Sequence, residues 1–224
     1  SLSARFVSIR SDSVALCRTL QPEDCVVQSM PDVSPTKWHL AHISWFFEKF
    51  VLETFAENYV SFDERFHFLF NSYYYTAGDM HKRPSRGLLS RPSVEEVMSY
   101  RDHVDEAMLD LLTKRNDAAI VQRVTLGLQH ERQHQELLLT DIKHVLAQNP
   151  LLPAMNPELE QPDRAAPEPL DFRDGTEGVA RIGALDEGFA FDNETPRHRV
   201  LLQPHRIGSR LITNSEYLEF IQGG

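Results

Sequence analysis

One uninterrupted run of about thirty residues constrains the fold of this chain more than any other feature. From Asp117 to Ala147 the apolar residues recur at helical spacing, and the pair Asn149-Pro150 closes the run. This pattern predicts a long amphipathic helix. Within it stands the segment Gln129 to Glu136, whose two histidines are four residues apart.

Three further stretches predict helices of similar character. The first covers Ser3 to Leu20, and the second begins at Ser34-Pro35 and runs to about Phe55. The third begins at Ser93, which has a glutamate three residues later as in a capping box, and extends to roughly Lys114. Residues 62–89, between the second and third helices, are rich in aromatic side chains and are predicted to have irregular structure. Four long amphipathic helices predict an antiparallel bundle whose core is a natural place for a metal.

The composition changes after residue 149, which predicts a division into domains. Residues 1–149 form the predicted helical bundle, and residues 150–169 contain six prolines and predict a linker. Residues 170–224 are rich in glycine and contain short β-like pieces at Val179–Ile182 and Arg199–Leu202. They predict the start of a mixed α/β, loop-rich domain that ends before it closes a core.

Charge and cysteine content narrow the classes of partner. The 224 residues carry a formal net charge of −10, which argues against nonspecific binding to nucleic acid or to an anionic membrane. Cys17 and Cys25 are the only cysteines, so no disulfide framework is implied. The chain shows neither a membrane-spanning run nor a signal-peptide core, and we expect a cytoplasmic protein that acts on small molecules.

The histidines predict a metal site. His130 and His134 lie on one face of their helix, so both imidazoles can reach one ion. On the second helix His39 and His42 are three residues apart. At most one of the two need point inward, and we predict that His42 is the third ligand; His39, next to Trp38, could as well lie at the mouth of the bundle. Glu136 lies about 200° around the helix from His134, so it is a poor ligand beside His134. A hydrogen bond to a ligand, or a structural role, suits Glu136 better.

Three neutral imidazoles suit either Zn(II) or Fe(II), and their spacing does not decide between these metals. A structural zinc site usually has four protein ligands, whereas only three good candidates are visible. The pattern therefore favours a catalytic metal over the alternative, a non-enzymatic metal-binding or oligomerisation module.

A basic and aromatic segment precedes the third helix. It contains Tyr73, Tyr74 and Tyr75, followed by four positive charges within ten residues, among them Arg83 and Arg86. The guanidinium group of arginine binds a carboxylate through two parallel hydrogen bonds, so the segment predicts a site for a carboxylated substrate. A solvated loop that pairs with the acidic surface explains the composition equally well. A tyrosine phenol near a metal is a candidate proton donor.

Taken together, these motifs resemble the ergothioneine-biosynthesis sulfoxide synthases. The resemblance extends from about Gln28 to Gly224. The motifs that carry it are Ser34 to His42 with Trp45 to Glu48, the arginine segment, His130 to Asp141, Gly188 to His198, and Thr213 to Tyr217.

The resemblance implies a DinB-like four-helix bundle followed by the start of a C-type-lectin-like domain, similar to the formylglycine-generating (sulfatase-modifying) enzymes. It also implies a mononuclear non-haem Fe(II) held by His42, His130 and His134, so iron is favoured over zinc. Members of that family use O2 to join a thiol, cysteine or γ-glutamylcysteine, to C2 of the imidazole of hercynine, and they oxidise the sulfur to the sulfoxide.

The resemblance also implies roles for other residues. Arg83 and Arg86 match the arginines that bind the carboxylate of the thiol substrate, and Gln133 matches a position that lines the hercynine pocket. Tyr73 and Tyr74 match a catalytic tyrosine pair in the bundle. Two alternatives stay open, a selenoneine synthase that couples a selenosugar to hercynine, and a zinc-dependent DinB-like thiol S-transferase.

Overall fold

The computed structural model describes residues 1–74, 76, 78–160, 166–185 and 187–223. The chain divides into two compact units, Ser1–Glu158 and Leu159–Gly224, and each is described by itself. Tyr75 and part of the predicted linker, residues 161–165, lie outside the described residues. The domain limits at 149 and 169 stay predictions.

The first unit is built from long helices around one apolar core, so the predicted mainly α fold is confirmed. Its helices are α1 (Leu2–Leu16), α2 (Thr36–Phe47), α3 (Glu53–Phe55), α4 (Phe66–Phe70), α5 (Val94–Lys114) and α6 (Ala118–Ala147). Helix α2 packs against both α5 and α6, and α1 packs against the same two helices. Four long helices therefore enclose the core, which includes Phe6, Trp45 and Leu128.

The limits of α5 and α6 agree with the sequence because their end signals are strong. The side chain of Ser93 accepts a hydrogen bond from the backbone N–H of Glu96, and the carboxylate of Glu96 accepts one from the backbone N–H of Ser93. This reciprocal pair satisfies two N–H groups that a helix start leaves free.

The first helix was predicted too long, whereas the second helical stretch does reach Phe55 but is divided into three pieces. Helix α1 ends at Leu16, and the chain turns through 3-10 geometry at Asp24–Val26. Helix α2 ends at Phe47 and continues as a π-helical turn, Glu48–Leu52, before α3. At this turn the buried carboxylate of Glu48 accepts hydrogen bonds from the Tyr100 and Tyr59 hydroxyls at 2.5 Å and 2.7 Å. The apolar residues keep their helical spacing through this wider π-helical turn, so the sequence pattern does not reveal the turn.

The segment predicted to be irregular also contains short helices. Helix α4 buries Phe66 and Phe70 against the ring of Tyr100, with centroids 5.1 Å and 6.4 Å away. A 3-10 helix follows at Arg83–Leu88. Both pieces are too short to show a hydrophobic period, which is why the sequence did not predict them.

A central ion network, formed by Arg10, Arg101, Asp105 and Glu131, joins the helices inside the core. Arg10 of α1 donates to Asp105 of α5 at 2.6 Å, to Glu131 of α6 at 3.3 Å and to the Ser44 hydroxyl of α2 at 2.8 Å. Arg101 donates to the second oxygen of Glu131 at 3.3 Å. The network therefore ties all four long helices together one residue away from the histidine pair of α6.

The second unit contains two small antiparallel sheets. Strand β1 (Phe172–Asp174) precedes β2 (Gly178–Ile182), β3 (His198–Leu202) and β4 (Arg206–Gly208), and β1 pairs with β4 while β2 pairs with β3. Helix α7 (Asn214–Gly223) follows. Both predicted strands are present, each one residue longer at its start. The proposed likeness to a C-type-lectin-like domain stays a prediction. Within the described part of the chain, no helix has the length and apolar character needed to cross a membrane.

Candidate metal centre

Three histidines from two separated stretches of the chain converge in the core of the bundle. His42 of α2 and His130 and His134 of α6 each offer a ring nitrogen, and these nitrogens all lie within 4.8 Å of one another. The Nε2 atoms of His42 and His130 are 3.3 Å apart. Two imidazole nitrogens bound at about 2.1 Å to one tetrahedral ion are roughly 3.4 Å apart. The three imidazoles therefore fit a shared metal ion.

Hydrogen bonding and stacking fix the ring of His42. Its Nδ1 donates to the backbone carbonyl of Phe70 at 2.6 Å, which leaves Nε2 as the nitrogen free for a ligand. The ring lies nearly parallel to Trp38, at 4.6 Å and 12°, and to Trp45, at 5.5 Å and 21°. Both indoles share α2 with His42, so the stacking is local, whereas the hydrogen-bond acceptor comes from α4.

His39 lies inside the bundle together with His42, although the spacing required only one of the two to point inward. His39 is only 3% exposed, because every residue of helix α2 is buried. The Nδ1 atoms of His39 and His134 are 2.9 Å apart, and Nε2 of His39 is 2.9 Å from a carboxylate oxygen of Asp141. His39 is therefore the polar neighbour behind the candidate ligand His134.

The acidic partner behind the centre is Asp141, which the sequence analysis did not single out. Glu136, for which a second-layer or structural role was predicted, is exposed, as its 200° rotation from His134 allows. Asp141 lies seven residues after His134, two helical turns on the same face of α6. That spacing was the signal in the sequence that identifies it.

Burial keeps the imidazoles neutral at pH 7. It lowers the pKa of His42 and of His134 well below the usual value, and the neighbouring histidines lower both further. Burial also lowers the pKa of His130 to about 4. Burial lowers the pKa of His39 too, and this effect outweighs the hydrogen bond to Asp141. Neutral imidazoles have the free lone pair that a metal ligand needs.

We expect the metal-free protein to lose stability as the pH falls from 6.5 to 5.5. The three candidate ligands have folded-state pKa values below the unfolded value, so their contribution is complete above pH 6.5 and declines as the unfolded chain takes up protons. Each of the three should cost about 1 kcal/mol over this interval, and His39, whose pKa is also lowered, adds to their sum of roughly 3 kcal/mol. Urea unfolding at the two pH values measures this change. The change should be about 1 kcal/mol smaller in the His130→Leu protein, and an unchanged stability of the unsubstituted protein would contradict the account.

A cavity of about 300 Å³ opens beside the three histidines. All eight residues that the sequence analysis selected for the site line this cavity, so the fold brings them together. Its lining consists of Ser34, Trp38, His39, His42, Ser72, Tyr73, Tyr74, Arg83, Arg86, His130, Gln133, His134 and Leu137. The roles of these residues stay predictions.

Arg86 is a buried cation at the wall of the cavity. It is 3% exposed, and it donates to the hydroxyls of Ser34 at 2.8 Å and Ser72 at 3.1 Å. Its guanidinium carbon lies 3.4 Å from the centre of the Trp38 ring. Burial and the charge of Arg83 lower the pKa of Arg86 to about 10, so it is still positive at pH 7. Within the described residues no carboxylate lies within 4.0 Å of either arginine, which makes the pair available to an anion.

The two candidate tyrosines differ in environment. Tyr73 is 64% exposed, and its hydroxyl accepts a hydrogen bond from Arg83 at 3.1 Å. Its φ of 61° is the left-handed conformation, which costs on the order of 1–3 kcal/mol for a residue other than glycine. Tyr74 is half-buried against Trp45, at 5.6 Å, and burial raises its pKa. Tyr74 therefore keeps its proton at neutral pH.

Fold and site together define a helical bundle that presents a three-histidine candidate metal centre to an open cavity. The chain belongs to the DinB superfamily, whose family model matches residues 5–145. The predicted DinB-like bundle is thereby confirmed.

Three curated relatives, all named hercynine oxygenase, are each about 30% identical to this chain. They come from Mycolicibacterium smegmatis (151 residues aligned), Mycobacterium tuberculosis (144) and Mycolicibacterium thermoresistibile (148). The alignments cover 64–65% of this chain and 32–33% of each relative. The chain thus spans about a third of the length of the curated relatives that it matches.

Proposed function

We propose that this protein is a non-haem Fe(II)- and O2-dependent sulfoxide synthase of ergothioneine biosynthesis. It joins the sulfur of cysteine or γ-glutamylcysteine to C2 of the hercynine imidazole. The observation that carries the proposal is the single cavity that contains three converging imidazoles and two arginines without a carboxylate partner among the described residues. The 30% identity to proteins named hercynine oxygenase supports the choice of hercynine.

The donor set fits iron. Nε2 of His42 and one ring nitrogen each of His130 and His134 would hold the ion. Three protein ligands leave coordination positions for substrate and oxygen, whereas structural zinc sites are usually closed by four. When bound, Fe(II) would supply the activation of O2 that the coupling reaction needs.

The arginines would bind the thiol substrate by its carboxylate. Arg86 is held in place by two serine hydroxyls and by the face of Trp38, so its fork is oriented before substrate arrives. The same indole ring stacks on His42, which supports a carboxylate site close to the metal centre. Gln133 lines the cavity one residue before His134, and we assign it to hercynine binding.

Tyr74 is the better placed proton donor of the two tyrosines. Its raised pKa keeps a proton on the hydroxyl, and its half-buried ring lines the cavity. The hydroxyl of Tyr73 accepts a hydrogen bond from Arg83, so Tyr73 would position that arginine.

Oxygen consumption tests the proposal directly. We expect the iron-loaded protein to consume O2 only when hercynine and a thiol are both present, and to form a C–S bonded sulfoxide that mass spectrometry detects. Cysteine, γ-glutamylcysteine and a selenosugar supplied in parallel identify the donor, and a selenosugar product would identify a selenoneine synthase. O2 uptake that does not depend on hercynine would contradict the proposal.

A zinc-dependent thiol S-transferase is the second candidate, because an open three-histidine centre in a DinB bundle suits Zn(II) as well. Bound zinc would lower the pKa of a thiol and so create a nucleophile without oxygen. Turnover of the zinc-loaded protein under anaerobic conditions would favour this candidate over the first.

A further inference from the structure

Three polar side chains form a continuous line behind the candidate metal centre. Asp141 and His134 belong to α6, and His39 of α2 lies between them. Both separations along the line are 2.9 Å, from the Asp141 carboxylate to Nε2 of His39 and from Nδ1 of His39 to Nδ1 of His134. Each separation is a hydrogen-bond distance, so each gap holds one hydrogen atom.

The position of each hydrogen follows from the end of the line. An ionised carboxylate can only accept, and the same Asp141 oxygen also accepts the backbone N–H of Ser34 at 2.9 Å. Nε2 of His39 must therefore donate to Asp141. A neutral His39 then has a bare Nδ1, which can only accept from Nδ1–H of His134. The hydrogen of neutral His134 is thus on Nδ1, and its Nε2 is bare.

We infer that Asp141 and His39 are positioning residues that hold His134 in the Nδ1–H tautomer, with Nε2 bare and ready to bind the metal ion. The inference rests on the metal centre of the proposed function and adds two residues to it. The Phe70 carbonyl does the same for His42, whose Nδ1 donates to it at 2.6 Å. The tautomer of His42 is therefore fixed by a backbone carbonyl, whereas the tautomer of His134 is fixed by a side chain of the neighbouring helix α2.

The line also links the two helices that carry the ligands. His39 is one turn before His42 on α2, and it is hydrogen-bonded to His134 and to Asp141 of α6. These two hydrogen bonds fix the distance between the candidate ligand on α2 and those on α6. Loss of such outer partners typically lowers metal affinity 10–100-fold. We expect an effect of that size here.

Nuclear magnetic resonance of the metal-free protein tests the tautomer without any turnover. Long-range 1H–15N spectra of the 15N-histidine-labelled protein should show His134 with its hydrogen on Nδ1 and His39 with its hydrogen on Nε2. In His39→Leu, His134 should become a mixture of both tautomers, and the affinity for Zn(II), measured by competition with a chelator, should fall 10–100-fold.

Two matched variants separate positioning from general disruption. His39→Gln keeps one acceptor and one donor in the side chain, so it should recover Zn(II) affinity to within a few-fold of the wild type. His144→Gln alters another hydrogen-bonded histidine of α6, whose Nδ1 lies 2.7 Å from the Ser29 hydroxyl, and should leave both measurements unchanged. Asp141→Asn keeps the side-chain shape, and it serves as the test variant if His39→Leu does not fold, with an expected affinity loss of at least a few-fold.

Some results would overturn the inference. A wild-type His134 protonated on Nε2 would do so, and so would wild-type affinity in both His39→Leu and Asp141→Asn. The metal centre itself is tested separately by His134→Ala. Undiminished Zn(II) binding in His134→Ala would reject the centre whatever the tautomer, whereas lost binding in His134→Ala with no effect at His39 would reject only the positioning role.

Discussion

His134→Ala should lower the affinity for Fe(II) more than 100-fold and abolish O2 consumption. Loss of an outer partner alone typically costs 10–100-fold, and this change removes one of only three candidate ligands. His134 is also the one candidate ligand that is hydrogen-bonded to His39. Competition with a chelator measures the affinity, and an oxygen electrode measures consumption.

Glu136→Ala is the matched control for this change. Glu136 lies two residues away on the same helix and is exposed, so its removal should alter neither affinity nor oxygen consumption. One metal ion per chain and full turnover in His134→Ala would show that the imidazoles have another role.

Glu131→Leu should lower the free energy of unfolding by about 3–5 kcal/mol, the usual cost of removing one partner from a buried ion pair. Glu131 is fully buried and accepts hydrogen bonds from Arg10 and Arg101 at 3.3 Å each and from Ser13 at 2.7 Å. Burial, and then the charge of Arg10, lowers the pKa of Arg101 to about 10 even with Glu131 present. Removal of Glu131 would leave Arg101 buried without its carboxylate partner, while Arg10 would keep only Asp105. Urea unfolding at pH 7 measures the loss.

Glu131→Gln and Glu136→Gln calibrate that measurement. The amide of Glu131→Gln still accepts a hydrogen bond, so its loss should be smaller than that of Glu131→Leu. Glu136→Gln changes the same charge on the exposed face of the same helix, where substitutions usually stay within about 0.5 kcal/mol. A loss below about 1 kcal/mol in Glu131→Leu would mean that the network contributes little.

Local signals in the sequence predicted most of the bundle. The capping box at Ser93 and the breaking pair Asn149-Pro150 lie within a few residues of the helix ends that they define. The pair His130 and His134 could be read as a metal site because helical spacing alone places both rings on one face. Such features need no knowledge of distant parts of the chain.

The parts that were missed depend on contacts between distant residues. The place of His39 stayed open because the rotation of α2 is set by its packing against α5 and α6, which spacing within α2 does not reveal. The central ion network joins Arg10 to Glu131 across 121 positions. An aspartate two turns after His134 was visible in the sequence, yet only the packing of α2 shows that it contacts His39.

The proposed site combines both kinds of information. Arg86 was selected for its chemistry, but the stack on Trp38 and the two serine hydroxyls that hold it come from segments 14 to 52 positions away. Similarly, the left-handed φ of Tyr73 is a property of the folded loop. The side-chain types indicate which substrate is possible, and the packing determines which atoms can reach it.

Anomalous diffraction at the iron absorption edge, from crystals of the Fe(II)-loaded protein, tests the central claim most directly. We predict one iron atom within coordination distance of Nε2 of both His42 and His134 and of a ring nitrogen of His130. An iron atom bound elsewhere, or one that contacts fewer than three of these imidazoles, would contradict the shared centre and every role assigned around it.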